Sequence, residues 1–178
     1  MSLMDSSKDL QQLENLDWGE PIYDTVVDGR AHQLRRVPLR ALALDDVRFL
    51  VTHKIGVPWL LPLALEALRG EPLLQASYYP GDLLKSVVQL EDAYLKSLRI
   101  QVHLIRDLIG AIPDERFEAL HCPPEVHGSV KLFLERELFV DPSAPPSPGE
   151  VRDRWQQHMR MLKRPVQTGE RASRRKRV

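Results

Sequence analysis

The 178-residue chain predicts an all-α protein: a compact domain of five or more helices, then a C-terminal helix and a basic tail. Three observations carry that prediction. Apolar residues recur at helical spacing in the long segments, above all in residues 92–109. Between residues 44 and 84, glycines, prolines and acids fall where helices start and stop. No stretch alternates apolar with polar residues as a half-buried strand would, and no internal repeat is present.

Residues 1–8 are polar and read as disordered. Leu10, Leu13 and Leu16 suggest a short helix before the turn-prone residues 17–21 (Asp-Trp-Gly-Glu-Pro). Residues 25–36 carry Val26, Val27, Ala31 and Leu34 at rough helical spacing, but Gly29 weakens the pattern. An extended segment up to Gly29, followed by a helix, is the alternative. Pro38 ends this part, and Leu39, Leu42 and Leu44 lead into the central stretch. There, Asp45 and Asp46 place negative charge where a helix N-terminus favours it, Val47, Leu50, Val51 and Lys54 follow, and Gly56 reads as the stop.

Pro58 suits the first turn of the next helix, because the N–H it lacks would have no partner there. Pro62 comes one turn later, so the helix either begins near it or kinks at it. Trp59, Leu60, Leu61, Leu63, Ala64, Leu65 and Leu68 make this helix apolar nearly all round, which places it at the centre of the domain, Trp59 included. Its length of about a dozen residues falls short of the roughly 20 that span a bilayer. Gly70 closes it, Pro72 forbids continuation, and Pro80-Gly81-Asp82 reads as a turn with Asp82 as N-cap of a helix opening at Leu83.

Residues 92–109 read as one amphipathic helix. Ala93, Leu95, Leu98, Val102, Ile105 and Ile109 form its apolar stripe, and Lys96, Arg99, Gln101, Arg106 and Asp107 face away. Asp114 then caps a short helix through Leu120, Pro123-Pro124 interrupts, and residues 128–139 read as helical on Val130, Phe133, Leu134 and Leu138. Residues 141–149 hold four prolines and no bulky apolar side chain, the composition of an extended linker. Residues 150–164 read as a further helix with Val151, Trp155, His158, Met159 and Leu162 along one side, and residues 165–178 as a disordered basic tail. The division is therefore a helical domain over 1–140, a linker over 141–149, a helix over 150–164 and a tail over 165–178.

Net charge is zero, yet unevenly spread: residues 152–178 hold ten Lys/Arg against two Asp/Glu, and residues 1–151 hold 15 against 23, a balance of −8. An acidic body favours basic partners, and a basic tail favours acidic ones. The N-terminus lacks the apolar core of a signal peptide, and Cys122 is the single cysteine, so a reduced, cytoplasmic setting without membrane spans is expected.

No catalytic, cofactor-binding or metal-binding site is expected. His121, Cys122 and His127 form the one cluster with ligand chemistry, but a structural zinc site wants four ligands at tighter, paired spacing. A Cys122 nucleophile with His127 as base would define a small enzyme, the reading ranked last. His32, His53 and His103 read as packed or solvent-facing helix residues. Phosphate loops, GxSxG and HExxH are absent. Trp18 and the Tyr78–Tyr79 pair flank turns, where aromatics either close the core under loops or serve as binding hot spots. Arg171, Arg174, Arg175, Lys176 and Arg177 make a basic run without interleaved aromatics, which reads as a solvated tail or as a non-specific nucleic-acid contact.

A wider pattern is carried by Trp18, Glu20 and Pro21, by His32, Leu34, Arg35, Pro38 and Leu39, and by Asp46, Val47 and Arg48. It continues through Ile55 and Gly56, through Leu60, Pro62, Leu63, Ala64, Leu65, Glu66 and Leu68, and through residues 79–84. In order and spacing, over roughly residues 13–110, it resembles the immunity proteins of bacterial contact-dependent growth inhibition systems; the pattern ends by about Pro113. The resemblance implies a non-enzymatic inhibitor that binds one toxin domain, a nuclease being the toxin an acidic body suits best. The residues proposed to meet it are Trp18, Asp45, Asp46, Glu66, Glu71, Tyr78, Tyr79 and Asp82. Glu91 and Asp92 add acid near the same stretch. The alternative is a helical nucleic-acid-associated protein acting through its basic C-terminal segment, and the oligomeric state is left open.

Overall fold

A computed structural model describes residues 5–96 and 98–136 of the chain, together with positions 149, 152, 153 and 156. The described residues form nine α-helices, one 3₁₀ turn and no strand. The all-α class holds.

Helix α1 (Leu10–Glu14) opens with a reciprocal cap: the Asp9 carboxylate accepts from the Gln12 N–H at 2.9 Å, and Gln12 Oε1 accepts from the Asp9 N–H at 3.2 Å. Of the residues before it, 5–8 are described, and they are tied down rather than disordered as their composition predicted. The carbonyls of Ser6 and Lys8 accept from the N–H groups of Arg40 and Leu39, both at 3.0 Å. Helix α2 (Val26–Leu34) is capped by Thr25, whose hydroxyl accepts from the Asp28 N–H at 3.1 Å. That cap carries Gly29 inside the helix and removes the extended alternative. A buried ion pair ties α2 back to α1: the Arg35 guanidinium donates to Glu14 at 2.5 Å and to the Leu16 carbonyl at 3.0 Å, and lies over the Trp18 ring at 4.1 Å.

The 3₁₀ turn (Leu39–Ala41) leads into α3 (Leu44–Thr52), which buries Val47, Phe49, Leu50 and Val51. Its stop is not Gly56. Lys54 takes the left-handed conformation (φ 62°), and the Ile55 N–H closes on the Leu50 carbonyl at 2.9 Å. Gly56, also at φ 62°, instead opens α4 (Val57–Gly70). A Cβ there would stand 2.6 Å from Leu10 Cδ2, so α1 is pressed into the α3–α4 corner.

Helix α4 is central, packing against α3, α5 and α7 (the latter two below). It runs unbroken through Pro62, with Pro58 in its first turn. A proline inside a helix costs about 3 kcal/mol. The fully buried Leu60, Leu61 and Leu68 each contribute about 2 kcal/mol, so packing wins. Trp59 is only half-buried, at the edge of this core rather than inside it.

Helix α5 (Asp82–Val88) starts one residue earlier than expected, because Gly81 (φ 82°) is its N-cap and Asp82 has another task. A Cβ on Gly81 would meet Val126 at 2.8 Å, the point where α9 (Pro124–Glu135) leans on the turn. The stretch 92–109 is two helices, α6 (Asp92–Leu95) and α7 (Arg99–Gly110). The chain leaves helical geometry at Leu98 (φ −111°, ψ 52°) and redirects so that α7 lies along α4. Tyr94, Leu95, Val102, Ile105 and Ile109 are all buried, but Ala93 is exposed. Helix α8 (Asp114–Ala119) has Asp114 in its first turn rather than as a cap.

Helix α9 begins at Pro124, four residues before the expected start, since proline fits the first helical position. Positions 149, 152, 153 and 156 are helical, Gly149 included although its composition assigned it to the linker. The rest of the expected linker, C-terminal helix and basic tail lies outside the described residues.

Candidate partner-binding surface

Helix α3 points its N-terminus, with Asp45 and Asp46, towards α2. Arg30 of α2 donates to Asp45 Oδ2 at 2.7 Å and to Asp46 Oδ1 at 2.9 Å, and its guanidinium lies 4.5 Å from the Phe49 ring centre. Asp46 also accepts from the Ala43 N–H at 3.1 Å, closing the first turn. One turn along α3, Arg48 donates to Asp45 Oδ1 at 3.2 Å and stands 3.8 Å from Asp82 Oδ2. Burial pushes the Asp45 carboxyl up, but hydrogen bonds from Arg30, Ser77 and Arg48 outweigh it and hold the group below its ordinary range. The same aspartates raise the Arg30 guanidinium against the pull of its partial burial.

Asp82 sits under this network, 3% exposed. Its carboxylate accepts from the N–H groups of Ala76, Ser77 and Tyr78 at 2.8, 2.9 and 2.8 Å, stapling the loop before α5. That loop holds Tyr78 over the Arg48 guanidinium, 4.6 Å from its ring centre, with 69% of the residue exposed. Val26 lies one turn before Arg30 on α2 and is 89% exposed; Leu44 lies one turn before Arg48 on α3 and is exposed too. The result is a surface of exposed apolar side chains around charges that already have partners.

The sequence-predicted residues divide. Asp45, Asp46 and Tyr78 meet here, with Asp82 beneath them offering no surface of its own. Trp18 is buried, edge-on to His32 at 5.6 Å and under Arg35, so its core-closing alternative is the one realised. Tyr79 is half-buried, with the Lys85 ammonium 5.7 Å from its ring centre. Glu71 accepts from Arg116 of α8 at 2.6 Å, and Glu66 is exposed on α4. Arg30, Val26 and Leu44 were missed as surface residues; the i, i+4 pairs Val26–Arg30 and Leu44–Arg48 were the available signal.

The histidine–cysteine cluster has structural tasks. His127 Nε2 lies 3.0 Å from Asp114 Oδ1 and its ring stacks on Phe117 at 4.5 Å; the His127 hydrogen bond, with Lys131 helping against slight burial, lowers the Asp114 carboxyl. Burial pushes the Cys122 thiol up, the opposite of what activates a nucleophile. The described residues contain no group of three or more His, Cys, Asp or Glu able to hold a metal ion, and no helix long and apolar enough to cross a membrane. The basic run from Arg171 to Arg177 lies outside the described residues.

This is an all-helical module with an exposed aromatic and paired charges at its surface. A family model described as CDI immunity proteins matches residues 12–105, just over half of the chain. The chain belongs to this family of contact-dependent growth inhibition immunity proteins, whose function is toxin-neutralising immunity. Membership implies a cognate toxin protein as partner. No curated protein and no solved structure matches the chain.

Proposed function

We propose that this chain neutralises its toxin without catalysis, by binding one cognate toxin domain in the cytoplasm through the surface formed by Val26, Leu44, Asp45, Asp46 and Tyr78. The observation that carries this reading is Tyr78: a largely exposed aromatic, fixed from below by Asp82 and from the side by Arg48. Tyrosine and arginine are enriched among residues that dominate binding energy. An aromatic ordered before binding loses little entropy on contact. The toxin is a nuclease in this reading. The body's charge of −8 over residues 1–151 favours a partner that is basic where it grips nucleic acid.

The test is rescue. The candidate cognate toxin domain is expressed in bacteria, and survivors are counted with and without the chain. Specific rescue with co-elution of the two proteins is the expected result. A Cys122→Ser variant protects as well as the parent, whereas an enzymatic mode through that thiol would lose protection. Failure of a well-folded chain to rescue refutes the proposal.

A further inference from the structure

Helix α7 carries a second apolar face. Val102, Ile105 and Ile109 turn inward, while Ile100 (59% exposed) and Leu104 lie on the opposite side of the helix. Where α7 runs along α4, this face borders a groove of about 320 Å³ with Leu65 and Pro72 on one wall and Leu104 and Leu108 on the other. Three further residues line it: Arg69 from α4, Asp107 from α7, and Ala111 just past the end of α7. Most charged side chains near the domain's helix junctions are paired, as in Arg30 with Asp45 and Asp46, Lys54 with Glu91, and Arg116 with Glu71. Arg69 and Asp107 are exposed and make no hydrogen bond or ion pair among the described residues.

We infer that this groove is a self-association surface whose occupant is a second copy of the chain. The argument is charge complementarity under symmetry. In a two-fold interface each residue that touches a partner residue is touched in return, so one cation and one anion flanking an apolar seam satisfy each other twice. Arg69 of one copy meets Asp107 of the other, Asp107 meets Arg69, and the two α7 faces close over Leu104. An unrelated partner would need to present the reverse pair at matching separation. An interface at the lower bound for a specific one, about 1,000 Å² in total, makes a weak dimer that forms with concentration. The surface is separate from the one around Tyr78, and a dimer leaves that face of each copy open.

The full chain is examined by sedimentation equilibrium from about 1 to about 200 µM, a range that brackets a micromolar dimer. The expected result is an average mass that rises towards twice that of one chain. Arg69→Asp and Asp107→Arg each weaken association at least tenfold, because under the two-fold each places a like-charge pair at both symmetric contacts. The double variant restores it. Leu104→Glu stays monomeric with an unchanged melting curve; if that variant does not fold, the charge exchange carries the test alone. A parent chain that stays monomeric throughout overturns the inference, and so does a double variant as weak as either single one. A monomeric parent combined with loss of toxin protection in folded Leu104→Glu assigns the groove to the toxin instead.

Discussion

Replacing Asp82 with asparagine tests whether the Tyr78 loop is held from below. The native carboxylate accepts three N–H groups: Oδ1 takes Ala76, and Oδ2 takes Ser77 and Tyr78. An asparagine with its carbonyl at the Oδ2 position keeps the last two bonds but turns its NH₂ towards the Ala76 N–H. One bond to a charged acceptor is lost, worth about 1.5–3 kcal/mol. Arg48 loses the negative charge 3.8 Å away but keeps Asp45, which limits that part. The expected loss is about 2 kcal/mol, and Asp82→Ala, which abandons all three donors, reaches about 4 kcal/mol. Denaturant unfolding measures the total, and amide exchange at Ala76, Ser77 and Tyr78 localises it. A loss below about 0.5 kcal/mol, the scatter of surface substitutions, with unchanged exchange at those amides, refutes the staple.

Three further outcomes are expected. Gly56→Ala forces a left-handed alanine and a Cβ against Leu10, costing about 2–4 kcal/mol in denaturant unfolding, and combining it with Leu10→Ala shows strong non-additivity. Asp45 has a folded-state pKa below its ordinary value of 3.8, so its contribution is present above that value and is lost as pH falls through the lower, folded one. Stability of Asp45→Asn, followed by thermal unfolding at stepped pH, falls less steeply below about pH 4 than the parent's; parallel curves would remove the role given to the Arg30 and Arg48 bonds. Tyr78→Ala leaves the melting curve in place while weakening toxin binding at least tenfold in a calorimetric titration, as expected for a hot-spot aromatic. Unchanged affinity would move the toxin to another face.

Much of the helical order was legible in the residues. The all-round apolar character of α4, the proline in its first turn and the close at Gly70 are local signals, and each has a local physical cause. What failed was of another kind. Periodicity reports the face of a helix, not the direction of its axis, so the redirection at Leu98 left no trace in the stripe, and it leaves Ala93 of α6 exposed while Leu95 and the α7 positions stay buried. Lys54 in the left-handed region beside a glycine two residues on is a choice of the corner, made when Leu10 fills the space at Gly56. Asp82 has the residue type and position of an N-cap, yet its oxygens turn back to residues 76–78; sequence does not say which set of N–H groups a carboxylate will face. The surface was half legible: acids and aromatics could be named, but not that Arg30 arrives from another helix to hold Asp45 and Asp46, nor that Trp18 goes inside while Tyr78 stays out.

The socket that Gly56 opens for Leu10 also orders events during synthesis. Helix α1 emerges from the ribosome before α3 and α4, but five residues are far too few to hold a helix alone, since isolated helices below about 12 residues are marginal in water. Its anchor, Leu10, has nowhere to lodge until the α3–α4 corner has been made and folded. A helix translated before its socket therefore docks after the socket has formed. An affinity tag or fusion placed at the N-terminus acts on that late step, and is expected to slow maturation of the fold more than it weakens the finished protein.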